Sequence, residues 1–192
     1  MRQIVLASSS PFRKELLQRL QLEFEATSPN IDETVQTDEP SPDLVMRLAV
    51  SKAYAVAVKY PNAIIIGSDQ VAVCEEQILG KPGNIENATE QLKFVSGKLV
   101  TFYTGLCVLD ANNKELQRDY VKFFVEFRQL TDEMIANYLT KEPAFNCAGS
   151  FKSEALGVAL TLRMSGKDPT ALVGLPLIRL TQMLEKAGIK II

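Results

Sequence analysis

The sequence predicts an α/β fold in which a mixed, twisted β-sheet is flanked by helices. In the first half of the chain, short apolar runs typical of buried strands alternate with segments whose apolar residues recur at helical spacing. In the second half, two long β-rich runs at 99–109 and 115–127 surround a polar turn at 110–113, as in a hairpin. Alternation with helices favours parallel strands and hairpins favour antiparallel ones, so the two patterns together indicate a mixed sheet.

The first predicted elements are a strand and a capped helix. Residues 4–7 are an apolar run typical of a buried strand, and Ser10 is placed to cap a helix that Pro11 begins. Apolar residues at helical spacing then line one face of this helix: Leu16, Leu17 and Leu20. Residues 23–26 alternate weakly and form a candidate second strand.

The central part of the chain adds two helices and the strongest strand. A helix is predicted from Ser41 to a point before Pro61, since proline cannot continue a helix. The apolar run 63–66 predicts a buried strand that leads directly into the polar residues 67–70, and residues 87–95 predict a further helix.

The last third of the chain is predicted to contain two helices and a strand. Thr131 is placed to cap a helix that reaches about residue 140. Residues 158–163 predict a strand, and residues 177–187 predict a terminal helix that Gly188 ends. The 192 residues contain no internal repeat or long linker, so we expect a single domain over 1–192.

The composition excludes several chemistries. The sequence has no histidine, which rules out a Ser-His-Asp triad, an imidazole acid–base pair and a histidine-ligated zinc. The three cysteines are too scattered for an all-cysteine zinc site and indicate a reducing compartment: Cys74, Cys107 and Cys147. Any bound metal is therefore expected to be a hard cation held by carboxylates.

Charge and hydropathy narrow the range of partners. With a net charge of −2, the chain offers no broad basic surface for a nucleic-acid backbone. Its apolar stretches fall far short of the ~20 residues needed to span a bilayer, and the apolar run at the N-terminus is too brief for a signal peptide. We therefore expect a cytoplasmic protein that binds neither nucleic acid nor a membrane.

The segment 8–14, SSSPFRK, is a candidate anion site. A junction between a strand and a helix offers backbone N–H groups, the hydroxyls of Ser8 and Ser10, and the positive end of the helix dipole. Arg13, in the first helical turn, can reach back to an anion held there. The alternative is that the serines only cap the helix and that Arg13 is a surface charge.

Acids and lysines at other positions add to this inventory. Asp69 follows the strongest apolar strand, where α/β enzymes place metal ligands and bases, although an aspartate there can also begin a turn. Gly67 permits close approach of the backbone nearby. Lys52 lies on an otherwise apolar helix and can alternatively extend to solvent, and Lys81 lies on a turn. Glu33 belongs to a short acidic stretch that, taken alone, is a solvated loop.

Ordered matches along the chain carry a resemblance to a known family. They cover residues 6–17, 32–33, 52–53, 67–70, 80–82, 97–105, 148–151, 168–169 and 172–176. Through these residues the chain resembles the Maf family of nucleotide pyrophosphatases over nearly its whole length. The resemblance implies a mixed α/β fold with a deep cleft, related to that of inosine triphosphate pyrophosphatases. It also implies hydrolysis of a nucleoside triphosphate to the monophosphate and diphosphate with a divalent cation, Mg²⁺ or Mn²⁺.

The resemblance further implies roles for individual residues. The family's catalytic acid falls on Asp69, and Asp69 and Glu33 are the implied metal ligands. The implied phosphate-binding residues are Ser8, Ser10, Arg13, Lys52 and Lys81. These residue types suit attack of water on the α-phosphorus, which needs neutralised phosphate charge and a proton acceptor. The family describes Asp69 as the proton acceptor, but an ordinary aspartate is a weak base at neutral pH. Holding the metal or orienting water is therefore the open alternative.

Three positions that separate subgroups of the family indicate the base. They fall on Phe12, Gln70 and Glu154, a set similar to that of the subgroup directed at 7-methyl-GTP. A ring can stack on the positively charged N7-methylated guanine, and a carboxylate can accept its N1–H and amino protons. Gln70 is less diagnostic because it donates or accepts. The alternative for Phe12 is a hydrophobic staple, and this subgroup often has tryptophan there, a stronger cation–π partner.

The sequence thus predicts an enzyme that hydrolyses 7-methyl-GTP to 7-methyl-GMP and diphosphate before the modified nucleotide enters RNA. Two alternatives remain open. One is a pyrophosphatase of the same family that acts on dTTP and UTP, whose subgroup typically has Arg, Thr and Gln at the three positions. The other is a nucleotide-binding regulator of cell division. The resemblance also implies that a homodimer is plausible, and the long β-rich run 99–109 is a candidate contact between chains.

Overall fold

The computed structural model describes residues 2–192 and shows an α/β protein. Its strands are β1 (Ile4–Ala7), β2 (Glu25–Thr27), β3 (Ile64–Cys74), β4 (Gln77–Leu79), β5 (Leu99–Asp110), β6 (Glu115–Phe127) and β7 (Thr161–Gly166). Its α-helices are α1 (Pro11–Gln18), α2 (Ser41–Ala57), α3 (Ile85–Val95), α4 (Asp132–Lys141) and α5 (Leu177–Lys186). Short 3-10 turns lie at Ala148–Ser150, Leu156–Leu160 and Pro169–Val173.

The sheet is mixed, as the sequence predicts. Its strand order is β2-β1-β3-β5-β6-β7, with β4 paired to β3. Strand β1 is parallel to β2 and β3, whereas the β3–β4 and β6–β7 pairs are antiparallel. The predicted fold class is therefore confirmed, and the deep cleft stays a prediction. No helix in the part of the chain that the structure describes is long and apolar enough to cross a membrane.

The chain divides into two compact units. The first contains residues 2–69, Thr104–Val121 and Thr170–Ile192, and the second contains Gln70–Tyr103 and Lys122–Pro169. Strands β3, β5 and β6 contribute residues to both. The expectation of a single domain over 1–192 stays a prediction.

In the first unit, alternate residues of β1, β3 and β5 face helices on opposite sides of the sheet, as the period of two requires. On one face the strands pack against α1 and α5, and the buried cluster includes Ile4, Leu6, Ile64, Ile66, Leu106, Leu16, Leu17, Leu180 and Leu184. On the other face they pack against α2, and the cluster includes Val5, Ala7, Ile65, Cys107, Ala49, Ala53 and Val56.

The second unit has an aromatic core and a tight hairpin. The rings of Phe102 and Phe127 lie with their centroids 6.0 and 5.2 Å from that of Phe151. The β3–β4 hairpin turns through Glu75 and Glu76, which have φ angles of 49° and 69°. Two positive φ values in a two-residue loop give the twist that antiparallel strands favour.

Most predicted helix ends are confirmed by their caps. Ser10 accepts a hydrogen bond from the backbone of α1, Thr131 does the same for α4, and Gly188 follows α5 with a φ of 81°. Helix α3 begins at Ile85, two residues before the predicted start, because the Asn84 side chain accepts from the Asn87 N–H at 2.8 Å.

Three predictions about strands need correction. Asp69 lies within β3 rather than after its end, because the strand continues through the polar residues to Cys74. The predicted strand 158–163 begins only at Thr161, since the Gly157 N–H bonds to the Lys152 carbonyl at 3.1 Å and closes a turn there. Strand β5 lies between β3 and β6, so the run 99–109 has no free edge to offer a second chain. The homodimer itself stays a prediction.

Two glycines allow α2 to lie very close to the sheet in the first unit. A Cβ on Gly67 of β3 would lie 2.1 Å from the Ala49 carbonyl oxygen. A Cβ on Gly105 of β5 would lie 2.2 Å from the Val45 carbonyl oxygen, one turn earlier in α2. Both clashes are with main-chain atoms, which cannot move without displacing the helix.

We expect Gly67→Ala to lower the free energy of unfolding by about 3 kcal/mol, because the added methyl group must push α2 away from β3. Urea unfolding measures this loss. Gly80→Ala is the matched control, since its Cβ would meet nothing within 4 Å, and it should change stability by less than about 0.5 kcal/mol. Equal stability of the two variants would contradict the close approach of α2.

Candidate functional site

The junction between β1 and α1 is held by its own serines. The Ser10 Oγ accepts from the Arg13 N–H at 3.4 Å and caps the helix, as predicted. The Ser8 Oγ accepts from the Ser10 N–H at 3.1 Å, and Ser8 is buried. These bonds fix the loop that presents the first turn of α1, so capping and a role in binding an anion are compatible for these serines.

Arg13 is not a surface charge, contrary to the alternative that the sequence left open. Its side chain is half-buried, and Nε donates to the Gly174 carbonyl at 2.8 Å. Burial lowers the pKa of the Arg13 guanidinium, while the charges of Asp69 and Glu33 oppose that effect. Within residues 2–192 its two terminal nitrogens make no hydrogen bond or ion pair. They are therefore available to an anion.

Lys52 joins the two carboxylates that the resemblance singles out. Its Nζ lies 2.6 Å from the Asp69 Oδ1 and 2.8 Å from the Glu33 Oε1. The Lys52 side chain is 6% exposed and that of Asp69 is 10% exposed, so this pair is screened little by solvent. Glu33 is exposed and reaches the pair from the loop between β2 and α2. The alternative that Lys52 extends to solvent is wrong.

The close approach of α2 explains where Lys52 lies. Gly67 and Asp69 share one face of β3 because they are two residues apart, and Gly67 lies against Ala49. Lys52 follows Ala49 by three residues and therefore shares its face of the helix. The same contact that requires a glycine at position 67 thus brings the ammonium of Lys52 to the carboxylate of Asp69.

The loop that carries Glu33 is anchored to α2 by Arg47. The Arg47 guanidinium donates to both carboxylate oxygens of Glu39, at 2.5 and 2.7 Å, and to the Thr34 carbonyl at 3.0 Å. Asp32 accepts from the N–H and hydroxyl of Thr34, and these bonds lower the pKa of Asp32. Asp32 and Arg47 therefore hold Thr34, the residue that follows Glu33.

The donor set around Lys52 fits a hard divalent cation. The carboxylates of Asp69 and Glu33 already converge on one cationic atom, and oxygen ligands are those that Mg²⁺ and Mn²⁺ prefer. Within residues 2–192 no group of three or more Asp, Glu, Cys or His side chains is placed to hold a metal. Two carboxylates suit Mg²⁺ in enzymes where phosphate oxygens and water supply the remaining ligands.

In the second unit, Lys81 lies in the irregular loop between β4 and α3 rather than on the predicted turn, and hydrogen bonds hold the carbonyls of its neighbours. The Gly80 carbonyl accepts from the Gln91 Nε2 at 3.1 Å and from the Gly149 N–H at 3.2 Å. The Pro82 carbonyl accepts from the Asn87 Nδ2 at 3.0 Å. Lys81 is exposed and forms no ion pair within the described residues. Its ammonium is therefore presented from a loop whose backbone is anchored on both sides of Lys81.

The three positions predicted to read the base are divided between the units. Phe12 is half-buried in the first turn of α1 in the first unit, whereas Gln70 and Glu154 belong to the second. Glu154 is exposed, and its carboxylate accepts from the Ser153 hydroxyl at 3.3 Å. The Lys152 carbonyl accepts from the N–H groups of Ala155 and Gly157, which closes the loop around Glu154.

The cysteines are not activated nucleophiles. All three are free thiols, and burial raises the pKa of Cys107 to about 12 and that of Cys147 to about 11. Burial also raises the pKa of Cys74. A thiol of raised pKa carries little thiolate at neutral pH, so the chemistry must come from the carboxylates and cations.

The sequence did not identify four residues that support the candidate site: Ser68, Arg47, Gln91 and Gly174. Ser68 and Gly174 lie inside the matched segments 67–70 and 172–176, so the resemblance marked their positions without giving their contacts. Arg47 and Gln91 lie on helices outside those segments. No sequence signal identifies their partners, because each partner lies in a different element.

A buried lysine between two carboxylates, with a free arginine end at a strand–helix junction, is the kind of arrangement with which α/β enzymes bind phosphates and divalent cations. The chain matches the family described as Maf-like protein over residues 3–187. It belongs to that family, so the predicted family is confirmed.

Curated relatives are similar over nearly the full length. A protein named 7-methyl-GTP pyrophosphatase from Colwellia psychrerythraea is 54% identical over 192 residues, which are 100% of this chain and 96% of that protein. A protein of the same name from Nitrosococcus oceani is 56% identical over 185 residues, 96% of this chain and 93% of that one. Among solved structures, a HAM1 protein from Coxiella burnetii has a TM-score of 0.46 at 15% identity, covering 66% of this chain and 73% of that chain.

We expect Lys52→Met to lower the free energy of unfolding by about 3 kcal/mol, because it leaves the carboxylate of Asp69 buried without its counter-ion. Chemical denaturation measures the change. Lys59→Met is the matched control, since Lys59 is exposed just beyond α2, and it should cost less than about 0.5 kcal/mol. A Lys52→Met protein as stable as this control would show that the ion pair contributes nothing.

Proposed function

We propose that the protein hydrolyses 7-methyl-GTP to 7-methyl-GMP and diphosphate. The observation that carries the proposal is the Lys52 ion pair with Asp69 and Glu33, beside the free guanidinium end of Arg13. Relatives named 7-methyl-GTP pyrophosphatase, more than half identical to this chain over nearly all of it, support the same substrate.

Cations and hydroxyls would hold the triphosphate. The terminal nitrogens of Arg13 can bind two phosphate oxygens side by side, and the exposed ammonium of Lys81 adds a second positive charge. Ser8 and Ser10 would contribute hydroxyl or backbone donors at the start of α1. In this proposal these groups align the α-phosphorus for attack and balance the charge that develops during the reaction.

Asp69 would act on the attacking water. Lys52 occupies its Oδ1, which fixes the carboxylate plane and stabilises its negative charge. Its Oδ2 is then oriented to accept a proton from water or to hold it in place. Glu33, bound to the same ammonium, completes the acidic side of the site.

A divalent cation is part of the proposal. Glu33 and Asp69 would hold Mg²⁺ or Mn²⁺, which when bound neutralises phosphate charge and polarises the bond that breaks. The charge balance supports this requirement, since Lys52 and Arg13 only offset Asp69 and Glu33. A polyanionic substrate needs more positive charge than this set supplies, and Lys81 alone adds one.

Phe12, Gln70 and Glu154 would select the methylated base. A methyl group at N7 gives guanine a positive charge, which an aromatic face and a carboxylate both attract. The half-buried ring of Phe12 and the exposed carboxylate of Glu154 suit these two tasks. We place the reaction in the cytoplasm, where it would remove the modified nucleotide before RNA synthesis, and the free thiols support a reducing compartment.

We expect Asp69→Asn to lower the rate of diphosphate release at least about 100-fold, because the amide cannot accept a proton and ligates a cation weakly. The assay supplies 7-methyl-GTP, GTP, dTTP, UTP and CTP in turn, with Mg²⁺ or Mn²⁺ and after chelation of the metal. Asp43→Asn, at an exposed position on α2, is the control and should retain full activity. Absence of hydrolysis by the unmodified protein would instead favour the nucleotide-binding regulator of cell division.

The double variant Phe12→Arg/Glu154→Gln tests base selection against the dTTP/UTP alternative. It removes the ring and the negative charge that favour the methylated base, so preference should move toward dTTP and UTP by at least about tenfold in kcat/KM. Competition between 7-methyl-GTP and dTTP measures the change. Unchanged preference would refute the assignment of these residues while leaving the reaction intact.

A further inference from the structure

The Gly174 carbonyl accepts hydrogen bonds from two side chains that lie far apart in the sequence. Arg13 Nε donates to it at 2.8 Å, and Ser68 Oγ donates to it at 3.0 Å. We propose that Ser68 is a positioning residue, which holds the Gly174 carbonyl so that it orients the guanidinium of Arg13 toward phosphate. This inference rests on the proposed function only in taking the anion to be a phosphate group of the substrate.

Because the guanidinium is planar, the contact of Arg13 Nε with the Gly174 carbonyl determines the orientation of the whole group. The five N–H groups of an arginine lie in one plane, so a bond at Nε fixes the orientation of the whole group. With Nε bound to the Gly174 carbonyl, two N–H groups, one from each terminal nitrogen, point away from that bond at the far end of the guanidinium. They form the edge that binds two oxygens of a phosphate side by side. A shift of the Gly174 carbonyl would therefore turn this edge.

Ser68 is well placed to hold the carbonyl. Its side chain is fully buried, and it shares its single hydroxyl hydrogen between the Gly174 carbonyl and the Gly105 carbonyl of β5, which lies 2.8 Å away. The hydroxyl therefore links β3 and β5 to the segment that contains Gly174. A buried hydroxyl within reach of two main-chain carbonyls is held in place, because moving it away from both would leave its hydrogen without an acceptor away from water.

Gly174 itself is specialised for this role. Its φ is 116°, a conformation that residues with a side chain rarely adopt, and a Cβ there would lie 3.5 Å from Arg13 Nε. In this conformation the Gly174 carbonyl accepts from both donors. This contact gives a physical reason for the matched segment 172–176, to which neither the resemblance nor the proposed reaction assigns a role.

Adjacent residues of β3 thus support two different cations. Asp69 faces α2, where it binds Lys52, and Ser68 faces the side that packs against α1 and α5. Asp69 therefore binds Lys52 on one face of the sheet. Its neighbour Ser68 orients Arg13, through Gly174, on the other face. This arrangement explains why a serine with no contact to the carboxylates stands beside the catalytic acid of the proposed reaction.

Thr104 provides a matched control. Its buried hydroxyl donates to the Ala171 carbonyl at 2.8 Å, three residues before Gly174 in the same segment. Thr104→Val and Ser68→Ala each remove one buried hydroxyl that anchors this segment. Only Ser68→Ala removes the donor on the carbonyl that Arg13 uses.

The test is calorimetric binding of inorganic tripolyphosphate with Mg²⁺, which needs neither turnover nor base recognition. We expect Ser68→Ala to weaken binding about tenfold, the usual effect of losing a hydrogen bond that positions a charged group. Thr104→Val should leave affinity within about twofold, although both variants lose thermal stability. In an Arg13→Ala background, Ser68→Ala should cause no further loss, because its effect acts through Arg13.

Several results would overturn the inference: unchanged affinity in Ser68→Ala, equal weakening by Thr104→Val, or a full effect of Ser68→Ala without Arg13. Failure of the unmodified protein to bind tripolyphosphate would also overturn it, since Arg13 would then hold no phosphate. Failure of the proposed function is a separate outcome. Absent hydrolysis with intact coupling between Ser68 and Arg13 would leave the inference standing as a phosphate site.

Discussion

The packing of α2 on the first unit's sheet is the constraint on which the candidate site depends. Main-chain oxygens of the helix approach β3 and β5 so closely that only glycine fits at positions 67 and 105. This distance is set by backbone atoms, and it determines how far the Lys52 side chain must reach. Lys52 then meets Asp69 within hydrogen-bond distance while it remains buried. If α2 lay farther from the sheet, Lys52 would not reach Asp69. A buried carboxylate without its counter-ion strongly destabilises a protein.

The sequence predicts local features well because they depend on neighbouring residues. The cap at Ser10, the mixed sheet and the helix end near Gly188 all follow from turn chemistry and periodicity. The errors arise where polar residues continue a strand, as at Asp69, or where a backbone contact closes a turn, as at Gly157. Local patterns contain no information about those contacts, which are made across the fold or between backbone atoms.

For the candidate site, too, some features can be predicted from the sequence and others appear only in the folded structure. Composition excludes histidine chemistry, and the structure shows that the cysteines are buried or half-buried, which leaves carboxylates, hydroxyls and cations. The resemblance then selects individual residues. Neither approach identifies the bonds that orient them, since Ser68 and Gly174 are 106 positions apart and Arg13 and Gly174 are 161 apart. Such pairs become visible only when the chain is folded.

The three predicted phosphate-binding cations are held in different ways, and this difference assigns them different tasks. Lys52 is buried and bound to two carboxylates, so its charge is already balanced and its main effect is to order those acids. Arg13 is fixed through Nε to a carbonyl, which neutralises no charge and leaves two nitrogens for an anion. Lys81 extends from a loop that is anchored through the neighbouring backbone, and it is exposed. In the proposed reaction, Arg13 and Lys81 would therefore contact phosphate directly, while Lys52 would act mainly through Asp69 and Glu33.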